Sequence, residues 1–128
     1  MKRKVFYTFY IFSIMLGLFA LFVLMFFRDE KIDADVEENG IEYVINVGAS
    51  LKSTASTVEL TKRYPFIYGA AGVHPSETAE LNEENFSWLA EQCKQPKIVA
   101  VGEIGLDYYW EEPEHEIQKN WFEKQLEL

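Results

Sequence analysis

The run Lys97-Ile98-Val99-Ala100-Val101-Gly102-Glu103-Ile104-Gly105-Leu106-Asp107-Tyr108-Tyr109 constrains this chain more than any other stretch. An apolar, β-branched segment stops abruptly at glycines and acids, the pattern of a buried parallel strand delivering a carboxylate to its C-terminal tip. Ligands of parallel α/β proteins bind at that tip, which makes Glu103 the first candidate for chemistry. Two more strands end in comparable signatures. Ile41 to Gly48 closes in Asn46-Val47-Gly48-Ala49, and Phe66 to Val73 closes in Gly72-Val73-His74-Pro75.

Helical patterns separate the strands. Between Ala49 and Tyr64, Ser50 is placed to cap and Leu51, Ala55 and Val58 recur at helical spacing until Pro65 ends the pattern. Asn82 caps a second helix with Glu83 and Glu84 in its first turn and an apolar face of Phe86, Leu89, Ala90 and Cys93. Pro113 suits the first position of a third, whose stripe is Ile117, Trp121, Gln125 and Leu128. Strand and helix alternate at intervals of about 25 to 30 residues, which predicts an α/β fold of about three βα units with right-handed crossovers. Three parallel strands alone leave two long edges and expose faces that neighbouring strands would cover.

In such a sheet all three strand ends lie on one side, so His74, Glu103 and Asp107 converge on a shared site. The glycines beside them let a ligand or metal approach the backbone. A carboxylate ending an apolar run needs a partner when buried, either a metal or a base. His74, before Pro75, also reads as a loop histidine, and Asp107 equally as a cap of the following turn. His115 begins an acidic helix and is expected in solvent.

Ahead of this domain, residues 5–27 hold no charge and are rich in Phe, Leu, Ile and Met. That length crosses a hydrocarbon core of about 30 Å as a helix, and it has neither the short apolar core nor the small-residue cleavage site of a secretory signal. One membrane-spanning helix over 5–27, an acidic junction over 28–40 and a domain over 41–128 are therefore expected. Lys2, Arg3 and Lys4 precede the run and Arg28 and Lys31 follow, which favours a single-pass membrane protein with a cytoplasmic amino terminus. All 21 acids lie after the run with nine of the 12 bases, a net −12. Such a surface repels phosphate backbones, so nucleic acid would need a local basic patch or bound divalent metal, and no basic patch is visible. The single Cys93 forms no internal disulfide and reads as a small apolar residue.

From Asn39 to Leu128, about ninety residues, the chain resembles the amino-terminal half of TatD-type metal-dependent hydrolases, deoxyribonucleases of the amidohydrolase-like (β/α)8 barrel class. The resemblance rests on Gly40-Ile41-Glu42-Tyr43-Val44-Ile45-Asn46-Val47-Gly48, on Gly72-Val73-His74-Pro75, on Val101 to Tyr109, and on Gln118, Phe122 and Gln125. It implies a partial TIM-type barrel, DNA as substrate, and two divalent metal ions, with Mg, Mn and Zn not distinguished. By the same resemblance Glu103 ligates and bridges the metals, and His74 and Asp107 line the pocket. The family alone would imply a cytoplasmic location.

The chain also departs from that pattern. The family opens on a strand with a His-x-His metal pair, where this chain has its uncharged run, and only Asp29 to Asn39 resembles a shortened first βα connection. The family's later strands bring two histidines and an aspartate that would lie beyond Leu128. One carboxylate cannot both orient a phosphodiester and activate water. Three readings follow: a truncated TatD-type hydrolase, inactive alone and completed by a second polypeptide; a non-enzymatic membrane-anchored α/β module that binds a ligand or partner; or a gene fragment in a mis-joined reading frame.

Overall fold

The computed structural model describes residues 32–128, which divide into two units between Glu42 and Tyr43. The expected span over 5–27 lies outside the described residues, and among those described no helix is long and apolar enough to cross a membrane. In the first unit residues 32–38 are helical. This segment ends in a Schellman turn: Gly40 adopts φ +64°, its N–H reaches Glu37 O, and the Ile41 N–H reaches Val36 O.

The second unit is a three-stranded parallel sheet in the order β1 (Val44–Val47), β2 (Ile67–Ala71), β3 (Ile98–Val101). Val44 pairs with Ile67 and Val47 with Ala70 on one side; Gly69 pairs with Ile98 and Ala71 with Val101 on the other, past an irregularity at Gly69/Ala70. Helix α1 (Leu51–Arg63) connects β1 to β2, and α2 (Glu83–Cys93) connects β2 to β3. Helix α3 (His115–Leu126) follows β3. Both expected caps form. Ser50 and Ser53 cap α1 reciprocally, as Asn82 and Asn85 cap α2.

The core gathers Ala71, Val73, Leu81, Leu89 and Trp121, with Leu51, Phe86, Cys93 and Ile98 packed against it. Phe86 and Trp121 meet with ring centroids 5.4 Å apart. The buried side of α1 differs from the expected stripe. Ala55 is exposed, whereas Thr54, Thr57, Val58 and Thr61 are buried. A Cβ at Gly69 would lie 2.7 Å from Thr57 Cγ2 and 3.2 Å from Thr61 Cγ2, so threonine methyls supply the apolar surface there. The Thr57 and Thr61 hydroxyls bond back to Ser53 O and Val58 O. On α3 the buried stripe is Gln118, Trp121 and Gln125, while Ile117 and Leu128 are partly exposed. Pro113 precedes α3 as a buried residue rather than opening it, because Glu114 takes the cap position.

The edge strands β1 and β3 carry exposed residues, whereas β2 is buried along most of its length. Ile45, Val47 and Val99 are exposed, so β3 is not the fully buried strand its composition predicts. The helices cover one face of the sheet, and its other face is open among the described residues.

Candidate active site

The three strand ends are stitched together by main-chain hydrogen bonds. Gly48 N–H donates to Ala70 O at 2.9 Å, while Gly48 C=O accepts from Glu103 N–H at 2.6 Å. Gly102 N–H donates to Ala71 O, and His74 N–H to Ala49 O, each at 2.9 Å. The end of β1 thereby bonds to the segments following both β2 and β3. The strand-end glycines make this approach possible, in place of the ligand access expected of them. A Cβ at Gly72 would stand 2.7 Å from the carbonyl carbon of Gly102, and one at Gly48 would collide with Thr54. The Gly102–Glu103 and Glu112–Pro113 peptide bonds are cis.

Convergence leaves a cleft of about 330 Å³ lined by Ala49, Ser50, His74, Ser76, Glu77 and Glu103. Across it His74 Nε2 faces Glu103 Oε1 at 4.0 Å. That separation is too long for a direct hydrogen bond and leaves both atoms turned toward a shared space. The Glu103 side chain is 60% exposed and that of His74 28%, so Glu103 is not the buried carboxylate that an apolar strand suggests. His74 sits at the start of a 3₁₀ helix (Pro75–Glu80), where its Nδ1 accepts the Ser76 N–H at 3.2 Å. The Ser76 hydroxyl also lies 2.8 Å from Nδ1, and a neutral ring accepting there would carry its proton on Nε2, the nitrogen nearer Glu103.

The segment bearing His74 is held with unusual completeness. The Thr54 hydroxyl bonds both the N–H and the C=O of Gly72, at 3.2 and 2.9 Å. The Gln125 amide does the same for Val73, accepting its N–H at 2.8 Å and donating to its C=O at 3.1 Å. A second glutamine on α3 repeats the device beyond Glu103. Gln118 accepts from Asp107 N–H at 2.9 Å and donates to Asp107 O and Pro113 O. Both glutamines are about 1% exposed. Helical spacing places Gln125 on the buried stripe but not Gln118, whose polar end counts against burial. Their partners are main-chain groups known only from the fold.

Asp107 is not brought into the cleft. Its Oδ1 accepts the Tyr109 N–H at 3.1 Å, the turn-capping alternative, and its main chain is fixed by Gln118. His115 is exposed and stacks on Tyr108, with centroids 4.0 Å apart. Cys93 lies half-buried with its Sγ 3.9 Å from Ala71 O, and burial raises its thiol pKa.

Among the described residues no three His, Cys, Asp or Glu side chains are grouped to hold a metal ion. Glu103 fits as one ligand of a divalent ion at this cleft. With only His74 opposite, whose Nδ1 is engaged, the residues present do not by themselves fit a two-metal cluster.

Comparison with known proteins gives this geometry a context. The profile described as "TatD related DNase" matches residues 24–128, starting within the last residues of the uncharged run. A Bacillus subtilis protein, "Uncharacterized metal-dependent hydrolase YabD", is 35% identical over 106 residues, covering 77% of this chain and 42% of that protein. The "3'-5' ssDNA/RNA exonuclease TatD" of Cronobacter turicensis is 32% identical over 101 residues, covering 79% and 38%. The crystal structure of YJJV, a TatD homologue from Escherichia coli, superposes with a TM-score of 0.59 at 30% identity, over 69% of this chain and 35% of that one. A TatD family hydrolase from Entamoeba histolytica gives 0.63 at 29% identity, over 70% and 33%. The chain thus spans about two fifths of the length of these sequence relatives. Its parallel strands, with the Gly-Glu-Ile-Gly-Leu-Asp turn at their C-terminal ends, are those of a partial TIM-type barrel, and the chain belongs to the TatD-related DNase family.

Proposed function

We propose that this chain carries the amino-terminal part of a divalent-metal-dependent phosphodiesterase centre that acts on single-stranded nucleic acid. Glu103 is one metal ligand, and His74 is a hydrogen-bond donor to the substrate or to the Glu103 carboxylate. The observation that carries this reading is the opposition of His74 Nε2 and Glu103 Oε1, 4.0 Å apart, in a cleft at the C-terminal ends of parallel strands. The Cronobacter relative, a 3'-5' ssDNA/RNA exonuclease by name, supplies the substrate class. A bound divalent ion would polarise the phosphodiester and activate water. This chain's own residues orient the carboxylate and hold a proton on Nε2.

The 128 residues by themselves are proposed to be inactive. The sequence has two histidines, His74 and His115, and His115 is committed to Tyr108. The exposed apolar side chains of Ile45, Val47 and Val99 support completion by further strands, whether from this polypeptide or another. The run over 5–27 is proposed as a membrane anchor, on its uncharged length.

The test is Mn²⁺ titration and single-stranded DNA hydrolysis by the full chain and by Glu103→Gln, with and without a polypeptide supplying the later TatD strands. Weak Mn²⁺ binding lost in Glu103→Gln is expected, with turnover only after complementation. Mn²⁺ binding or turnover indifferent to Glu103 would refute the assignment.

A further inference from the structure

We propose that Tyr109 and Trp110 form a stacking platform for the unpaired bases of single-stranded nucleic acid beside the Glu103 cleft. The proposal rests on the function given above and adds the residues that would grip the strand.

Three aromatics follow the strand-end turn, and the structure separates their roles. Tyr108 is occupied, its ring stacked on His115. Tyr109 and Trp110 are free in solvent at 82% and 61% exposure, in an edge-to-face pair with centroids 4.8 Å apart. Their turn is nonetheless anchored. Asp107 Oδ1 holds the Tyr109 N–H, and the buried Gln118 holds both main-chain groups of Asp107. Two large rings presented to water on a pinned turn forgo the burial that aromatic side chains normally gain. The turn also starts at the functional end of the sheet. Tyr109 lies six positions after Glu103, a reach of at most about 20 Å.

Charge selects the occupant. Asp107, Glu111, Glu112 and Glu114 flank the rings, within a sequence that carries a net −12 after residue 27. A duplex would press its phosphates against these acids while keeping its base faces hidden. A single strand can turn its bases onto the rings and its phosphates outward. Stacking is also tolerant of base identity, since every base offers a π-face. A basic groove loses affinity steeply with added salt through counterion release. An aromatic platform among acids does the reverse or stays flat, because salt screens the repulsion.

The experiment titrates the full chain, in mild detergent and EDTA, into end-labelled short oligo(dT) and a matched labelled duplex, following the anisotropy of the label for every variant and tryptophan emission in the parent. Oligo(dT) should quench the emission and bind better than duplex, with no loss of affinity as salt rises. Tyr109→Ala and Trp110→Ala should each weaken binding by about 5- to 150-fold, and Tyr109→Phe and Trp110→Phe should restore it. The proposal is overturned if oligo(dT) does not bind, if the alanine variants bind as the parent does, or if affinity falls steeply with salt. It is also overturned if Trp110 is already shielded from acrylamide in the free protein, which would assign the rings to a protein surface. Mn²⁺ binding, measured separately, keeps the two readings apart. Intact Glu103-dependent Mn²⁺ binding with no aromatic effect removes the platform alone. An aromatic effect without Mn²⁺ binding upholds the platform and removes the hydrolase reading.

Discussion

Replacing Gln125 by Met tests whether α3 positions the His74 segment. The substitution keeps the length and apolar stem of the side chain but removes both bonds to Val73, at 2.8 and 3.1 Å. Val73 is 1% exposed and Gln125 likewise, so neither main-chain group gains water in exchange. Each orphaned buried group costs about 1–3 kcal/mol, which gives an expected loss of about 2–6 kcal/mol. Urea unfolding of the full chain in mild detergent, followed by tryptophan fluorescence, to which Trp121 one turn from Gln125 contributes, should show a lower midpoint with an unchanged slope. Amide exchange should accelerate at Val73 and His74 beyond what global destabilisation explains. Gln125→Glu sharpens the test. Its carboxylate can accept the Val73 N–H but only the protonated form can donate to Val73 C=O, so the folded state raises its pKa. A raised carboxyl pKa means the folded form binds the extra proton, so this variant should be most stable in acid and lose stability as pH rises. A Gln125→Met protein within about 0.5 kcal/mol of the parent would refute the clamp, since that is the scale of inconsequential surface changes.

Gly72→Ala is expected to destabilise by about 1–3 kcal/mol, as overpacked sites do, because its Cβ would meet Gly102 main-chain atoms at 2.7 and 2.9 Å. Thermal melts of the two proteins check this, and an unchanged midpoint would show that the strand ends are not packed as described. Cys93, with its thiol pKa raised by burial, should be alkylated slowly by iodoacetamide at neutral pH and faster only as pH climbs past the ordinary thiol range. Urea should abolish the difference from a free cysteine; parity in the folded protein would contradict the burial. The full chain is expected in the membrane fraction after alkaline carbonate extraction, and recovery in the supernatant would remove the proposed anchor.

Much of the fold was legible in the sequence because its signals are local. The alternation of β-branched runs with capped helical patterns marked β1, β2 and β3, and Ser50 and Asn82 marked the starts of α1 and α2. The strand-end signatures also identified His74 and Glu103, which the sheet then set across one cleft. What only the tertiary structure decided concerns groups whose partners are distant in sequence. Asp107 turned to its own loop, because a carboxylate can cap a nearby N–H as readily as it can reach a cleft. Gln118 and the threonines of α1 went inside, against hydropathy, and Gln125, which helical spacing places on the stripe, found its partner there, because buried main-chain groups at the strand ends needed side-chain partners and close strand–helix approach needed small ones. Exposure of Glu103 and of the sheet face bearing Val99 was likewise decided by which neighbours pack there. Residue type sets what a side chain can bond, and the fold sets which of those bonds is within reach.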